Sequence, residues 1–134
     1  MGNKKVVIID DDEAFLEGLE KTLSASGYDP LVVTDPLSAV EIAIEKKPDV
    51  ILLELRMPCK NGFELADEMN RALETQSIPI IAMSEFFKEE SFSLMNLCMN
   101  LCGIKKYLKK PLHPLEVISA IEDVIKEKGD LWQR

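Results

Sequence analysis

Short apolar runs alternate with longer amphipathic stretches along the whole chain, a pattern that predicts strands alternating with helices. The first strand is expected near residues 5–9. A helix follows near 13–26, where Phe15, Leu16, Leu19 and Leu23 share one face and Gly27 supplies the stop. Residues 30–33 read as the second strand. Asp35 then caps a helix that begins on Pro36, carries Ala39, Ile42, Ala43 and Lys46, and ends before Pro48. Residues 49–53 are apolar on both faces, the mark of a central parallel strand.

Asn61-Gly62 turns the chain into a third helix over roughly 63–73, with Leu65, Ala66, Met69 and Leu73 inward. The fourth strand is expected at 78–83, the fourth helix at 89–102 before Gly103, and a short fifth strand at 105–108. Pro114 opens the last helix, where Leu115, Ile118, Ile121 and Ile125 recur at helical spacing until Gly129, leaving 130–134 as a tail. This alternation implies an α/β, doubly wound parallel sheet covered on both faces, with right-handed crossovers. A strand order of 2-1-3-4-5 sets strands one and three side by side, with a crevice above their C-terminal ends. No internal repeat, low-complexity stretch or linker interrupts residues 1–134, read as one domain with its core at about 4–128.

Composition narrows the function classes. A chain of 134 residues with 46% hydrophobic and 30% charged residues is long enough for a real core and wrong for disorder. A net charge of −8 disfavours nucleic acid and anionic membrane surfaces, both of which want clustered Lys and Arg. No apolar run approaches the ~20 residues of a membrane span, and no signal peptide is expected. Met1-Gly2 suits myristoylation, but Val6 lacks the hydroxyl that motif wants. Cys59, Cys98 and Cys102 are an odd number without framework spacing, which fits a reducing cytoplasm. Cys98 and Cys102 share a helix face and read as core rather than as metal ligands. His113 reads as a loop or capping residue, with no nucleophile or base around it.

The chemistry gathers at the strand ends. Asp10, Asp11 and Glu54 fall at the C-terminal ends of the two central strands, and Asp12 reads as a helix cap. Carboxylates that close repel by ~4 kcal/mol per pair at 4 Å and an effective dielectric of 20, so the crevice needs a cation, a lysine or a shared proton. Oxygen ligands suit Mg²⁺, and Lys110 can supply a second positive charge. A cofactor-binding or enzymatic domain on the same layout is the alternative of another class. Against it, Asp10-Asp11-Asp12-Glu13 follows strand one where a glycine-rich phosphate loop would be needed.

Val6-Val7-Ile8-Ile9-Asp10-Asp11, Val50-Ile51-Leu52-Leu53-Glu54, Met57-Pro58, Asn61-Gly62 and Tyr107-Leu108-Lys109-Lys110-Pro111 resemble, in order, the receiver domains of bacterial response regulators, the CheY-like family. The resemblance covers about residues 4–128. It implies a flavodoxin-like (βα)5 fold, cytoplasmic, working in a two-component or phosphorelay system through a histidine kinase or a downstream effector. It implies that Asp10 and Asp11 are the Mg²⁺ pair, Ser84 and Tyr107 the switch residues, and Lys110 the phosphate-contacting lysine. The position normally held by the phosphoacceptor aspartate is Glu54.

Glutamate carries its carboxylate roughly 1.5 Å further, and such a misplacement of a nucleophile costs about 100-fold. Glu54 is therefore expected to pair with Lys110 and to compete with Mg²⁺, leaving weak metal binding and no turnover. Either Glu54 mimics part of the phosphorylated state or it is inert. A stand-alone, degenerate receiver acting by protein–protein contact is the leading expectation, and a working relay phosphorylated at another crevice carboxylate is the runner-up.

One further feature stands out. Phe92, Leu94, Met95, Leu97, Cys98, Met99, Leu101 and Cys102 cover well over half the circumference of the fourth helix. Phe92, Met95 and Met99, with Phe86 and Phe87 upstream, are expected to form a homodimer or partner surface. Leu131 and Trp132 are expected either to dock on the domain or to start an interaction segment.

Overall fold

The structure, a computed structural model, describes residues 2–85 and 92–133; the side chains of 92–95 and 129–133 are outside the description. The elements run β1 (Lys4–Ile9), α1 (Glu13–Ala25), β2 (Tyr28–Val33), a 3₁₀ turn (Pro36–Ser38), α2 (Ala39–Lys46), β3 (Val50–Glu54), α3 (Gly62–Arg71), β4 (Ile80–Ser84), α4 (Phe92–Leu101), β5 (Ile104–Lys109) and α5 (Pro114–Gln133). The five strands are parallel in the order β2-β1-β3-β4-β5. This is the flavodoxin-like sheet expected from the sequence.

Alternation along the strands sorts the core into two layers. Val7, Ile9, Ile51 and Leu53 face Ala39, Ala43, Leu65, Met69 and Met99, from α2, α3 and α4. Val6, Ile8, Val50 and Leu52 face Leu16, Leu19 and Leu23 of α1 and Val117, Ile121 and Val124 of α5. Residues 50–54 of β3 are all buried, as a strand flanked by two others and covered on both faces must be.

Local signals set most boundaries. Asp12 caps α1 by accepting from the Phe15 N–H at 3.2 Å, and Asp35 caps the 3₁₀ turn by accepting from Leu37 N–H at 3.0 Å. Gly27 and Gly103 take positive φ values of 89° and 76°, conformations in which a Cβ is strained. His113 accepts from the Leu115 N–H at 3.1 Å and so caps α5.

Four expectations are corrected. Leu73 is 79% exposed, because α3 ends at Arg71 and the residue lies past its last turn. Leu115 is 63% exposed, since Val117, Ala120, Ile121 and Val124 form the inward stripe of α5. Gly129 does not end α5, which continues to Gln133; one interior glycine costs a helix only about 1 kcal/mol.

Met99 is the fourth. It was expected on a partner surface, but it is only 8% exposed and packs in the core with Ile80 and Ile104. Leu97 and Leu101 are 55% and 69% exposed instead. Met99 stands two residues from Leu97, about 200° round a helix, so the two side chains point in opposite directions. Phe86 and Phe87 lie outside the described residues, as do the side chains of Phe92, Met95, Leu131 and Trp132.

Candidate functional site: the acidic crevice

β1 and β3 deliver their last residues side by side, and the chain beyond each strand is held in place. The Asp10 N–H donates to the Val33 carbonyl at 3.2 Å, and the Gly62 N–H donates to the Leu55 carbonyl at 3.0 Å. A Cβ on Gly62 would stand 2.5 Å from the Glu54 carbonyl oxygen and 2.6 Å from Leu55 Cα, so only glycine lets α3 begin this close to the end of β3. Asn61 caps α3 by accepting from the Phe63 N–H at 2.7 Å. The Lys110 N–H donates to the Ser84 carbonyl at 2.9 Å, just beyond β5 and before a cis peptide to Pro111.

These constraints bring Asp10, Glu54, Ser84 and Lys110 into one buried group, each at most 7% exposed, with Asp11 exposed beside them. The crevice is a cavity of about 340 Å³ whose walls include Asp11, Glu54, Arg56, Ser84, Glu85 and Lys110. Asp10 is fully engaged: its Oδ2 accepts from Lys110 Nζ at 2.7 Å and its Oδ1 from the Asp12 N–H at 2.9 Å. Glu54 turns back on its own chain, Oε2 accepting from the Leu55 N–H at 3.1 Å. Its Oε1 lies 3.8 Å from Lys110 Nζ. The lysine expected to pair with Glu54 stands within ion-pair distance of it and makes its shorter, hydrogen-bonded contact with Asp10. Tyr107, half-buried, donates its hydroxyl to the Ser84 carbonyl at 3.1 Å.

Sequence reasoning did not find the third wall around the lysine. The Phe15 ring lies with its centroid 4.4 Å from Lys110 Nζ, a cation–π distance. Its apolar spacing marked it only as part of the inward face of α1. Arg56 and Glu85 at the mouth also went unremarked, because their roles depend on where the loops after β3 and β4 turn.

Burial pushes the Glu54 carboxyl up from 4.5 to about 7; Lys110 pulls it down, Asp10 pushes it up, the Leu55 N–H lowers it and Asp11 raises it. Burial also raises the Tyr107 phenol, with Glu54 adding to the effect. The raised value makes stability pH-dependent. Between 4.5 and about 7 the folded chain keeps a proton on Glu54 that the unfolded chain has released, so this group's contribution falls as pH rises through that window and is level above it. Glu54→Gln is expected to remove that slope. Urea unfolding of both proteins at about pH 5 and about pH 8 reads it as a change in their stability difference. A difference that does not move with pH would show that Glu54 is not protonated in the fold.

As arranged, Asp10 could serve a divalent ion only by giving up the partners it now holds. Among the described residues no three carboxylate, thiolate or imidazole groups gather as a metal-ligand set. Both oxygens of Asp10 are already engaged, and an ammonium sits against one of them.

Residues 6–122 match the response regulator receiver domain family. The phosphate regulon transcriptional regulatory protein PhoB of Pseudomonas aeruginosa is 30% identical over 129 residues, covering 96% of this chain and 55% of that protein. The alkaline phosphatase synthesis transcriptional regulatory protein PhoP of Bacillus subtilis is 30% identical over 124 residues, covering 92% of this chain and 49% of that protein. The chain thus spans about half the length of these curated relatives.

Among solved structures, the Vibrio cholerae chemotaxis protein CheY4 superposes with a TM-score of 0.83 at 23% identity, covering 92% of this chain and 99% of that one. The receiver domain of the P. aeruginosa sensor histidine kinase PA1611, solved with magnesium in its active-site cleft, gives 0.81 at 23% identity, covering 93% and 99%. No helix among the described residues is long and apolar enough to cross a membrane. From its first strand to its last helix, this chain belongs to the receiver domain family of two-component response regulators.

Proposed function

We propose that this receiver domain signals by binding a protein partner, without phosphoryl transfer to residue 54. The observation that carries the reading is the state of Glu54. It stands at the end of β3, where the resemblance puts the acceptor position, is 7% exposed, and has one carboxylate oxygen tied to the Leu55 N–H. An in-line attack needs a free, correctly placed oxygen, and a displacement of one methylene costs about 100-fold or more. The partner is a histidine kinase or a downstream effector; the net charge of −8 argues against nucleic acid or an anionic membrane.

Asp10, Asp11, Ser84, Tyr107 and Lys110 keep the family's pattern around the substituted position. A crevice in which Asp10 already holds Lys110 and the Leu55 N–H holds Glu54 supports a surface held in one packing rather than switched between two. Incubation with a small-molecule phosphodonor and Mg²⁺ is expected to leave the intact mass unchanged. Near-stoichiometric phosphate on Glu54 would overturn the reading.

A further inference from the structure

A second cavity lies at the other end of the sheet, at the N-terminal ends of β4 and β5. It measures about 470 Å³, within the range of pockets that hold a small molecule. Ile78 and Ile80 from the α3/α4 layer and Val124 from the α1/α5 layer line it, so it opens where the two core layers meet.

β5 carries an extra residue at this point. Ile80 pairs with Ile104 and Ile81 with Lys106, which leaves Lys105 as a β-bulge. The core shows the consequence: Ile104 and Tyr107, three residues apart, pack in the same layer, which regular alternation would forbid. A bulge re-aims its side chain, and Lys105 lines the cavity. Lys128, half-buried on α5, lines it too. Among the described residues no carboxylate stands within ion-pair distance of either ammonium, and Glu127 lines the cavity without pairing to them. Lys105 and Lys128 against Glu127 make this site locally positive on a chain whose net charge is −8.

We propose that this cavity binds a small amphipathic organic acid, its apolar body against Ile78, Ile80 and Val124 and its anionic group taken by Lys105 and Lys128. Apolar walls with a few polar groups that fix orientation are what such a ligand needs. The site stands at the opposite end of β4 and β5 from the acidic crevice, and the inference holds whether or not residue 54 accepts a phosphoryl group.

The probe is anilinonaphthalene sulfonate, an aromatic body with one anion, titrated by fluorescence into the wild type, Lys105→Met/Lys128→Met, Ser77→Trp and Lys109→Met. Phenylnaphthylamine, the same body without the sulfonate, is the neutral control. The wild type is expected to bind the sulfonate at one site, at least about fivefold more tightly than the amine, and more weakly as salt rises. Lys105→Met/Lys128→Met is expected to bind the sulfonate at least about fivefold more weakly and the amine within about twofold of the wild type. Ser77→Trp, an exposed lining position where a large ring blocks entry, is expected to lose both. Lys109→Met, an exposed lysine at the far end of β5, is expected to change neither by more than about twofold, since exposed charges are screened. Amide shifts in an NMR titration are expected to move around residues 76–80, 103–105 and 124–128.

No saturable binding, equal affinity for sulfonate and amine, or shifts centred elsewhere, as on Leu97 and Leu101, would overturn the proposal. So would unchanged binding by the folded lysine double variant. If circular dichroism shows that variant unfolded, Ser77→Trp and the salt dependence of the wild type decide. Lost binding together with salt-weakened affinity supports the proposal, and retained binding or salt-insensitive affinity overturns it.

Discussion

Lys110→Met is expected to lose about 3–5 kcal/mol of folding stability at neutral pH. The cause is the carboxylate left behind. Asp10 is 0% exposed and is held by Lys110 and the Asp12 N–H, so removing the ammonium strands a charge in a low-dielectric setting. The methionine fills similar space, which confines the change to charge and hydrogen bonding. Lys109→Met, at an exposed neighbouring position, is expected to stay within about 0.5 kcal/mol of the wild type.

Asp10→Asn combined with Lys110→Met should recover much of the loss, because an amide can be buried with far less cost than an unpaired carboxylate. A coupling of about 1–3 kcal/mol in that double-mutant cycle is the expected signature of the pair. Denaturant unfolding measures all four proteins. A loss of under about 1 kcal/mol for Lys110→Met would mean that Asp10 does not depend on the lysine.

Met99→Glu is the second large effect. The side chain is 8% exposed and packs among Ile80, Ile104 and Met69 in the layer beneath α4. An isolated carboxylate there costs several kcal/mol or takes up a proton, a large part of the roughly 5–15 kcal/mol that holds a domain folded. Leu97→Glu and Leu101→Glu lie on the outward side of the same helix, 55% and 69% exposed. Each is expected to change stability by about 0.5 kcal/mol or less. If α4 serves a homodimer or partner, the association runs through this outward pair, and light scattering should register its loss in Leu97→Glu/Leu101→Glu while circular dichroism stays unchanged. A well-folded Met99→Glu would contradict the burial of that residue.

The sequence and the fold agree where one local cause decides the outcome. β3 is apolar without alternation because both its faces are covered, and that pattern marks it as a central strand. Asp12, Asp35, Gly27 and Gly103 act through their own backbone needs and stop or start elements where expected. Leu73, Leu115 and Gly129 were misread because apolar spacing does not say which turn is a helix's last, or which of two adjacent stripes meets the sheet. The surplus of apolar residues on α4 was visible, but which of them faces outward depends on how the helix is rotated on the sheet.

The candidate site divides in the same way. Parallel topology forces residues 10, 11, 54, 84 and 110 to the same end of the sheet, so their meeting could be read from the order of strands. The choice Lys110 makes between two carboxylates could not. It rests on a difference between 2.7 Å and 3.8 Å, set by the backbone after β5 and by the ring of Phe15.

Phosphorylation of the wild type and Glu54→Asp, run side by side with a small-molecule phosphodonor and Mg²⁺ and read by intact mass with site mapping, tests the central claim most directly. The variant shortens the side chain by one methylene and is expected to gain a phosphoryl group at residue 54, because Asp10, Asp11, Ser84 and Lys110 are already gathered around that position. The wild type is expected to gain none. Stoichiometric phosphate on wild-type Glu54 would contradict the account, and phosphate mapped to Asp10 or Asp11 would make the chain a working relay member that uses a different carboxylate of the same crevice.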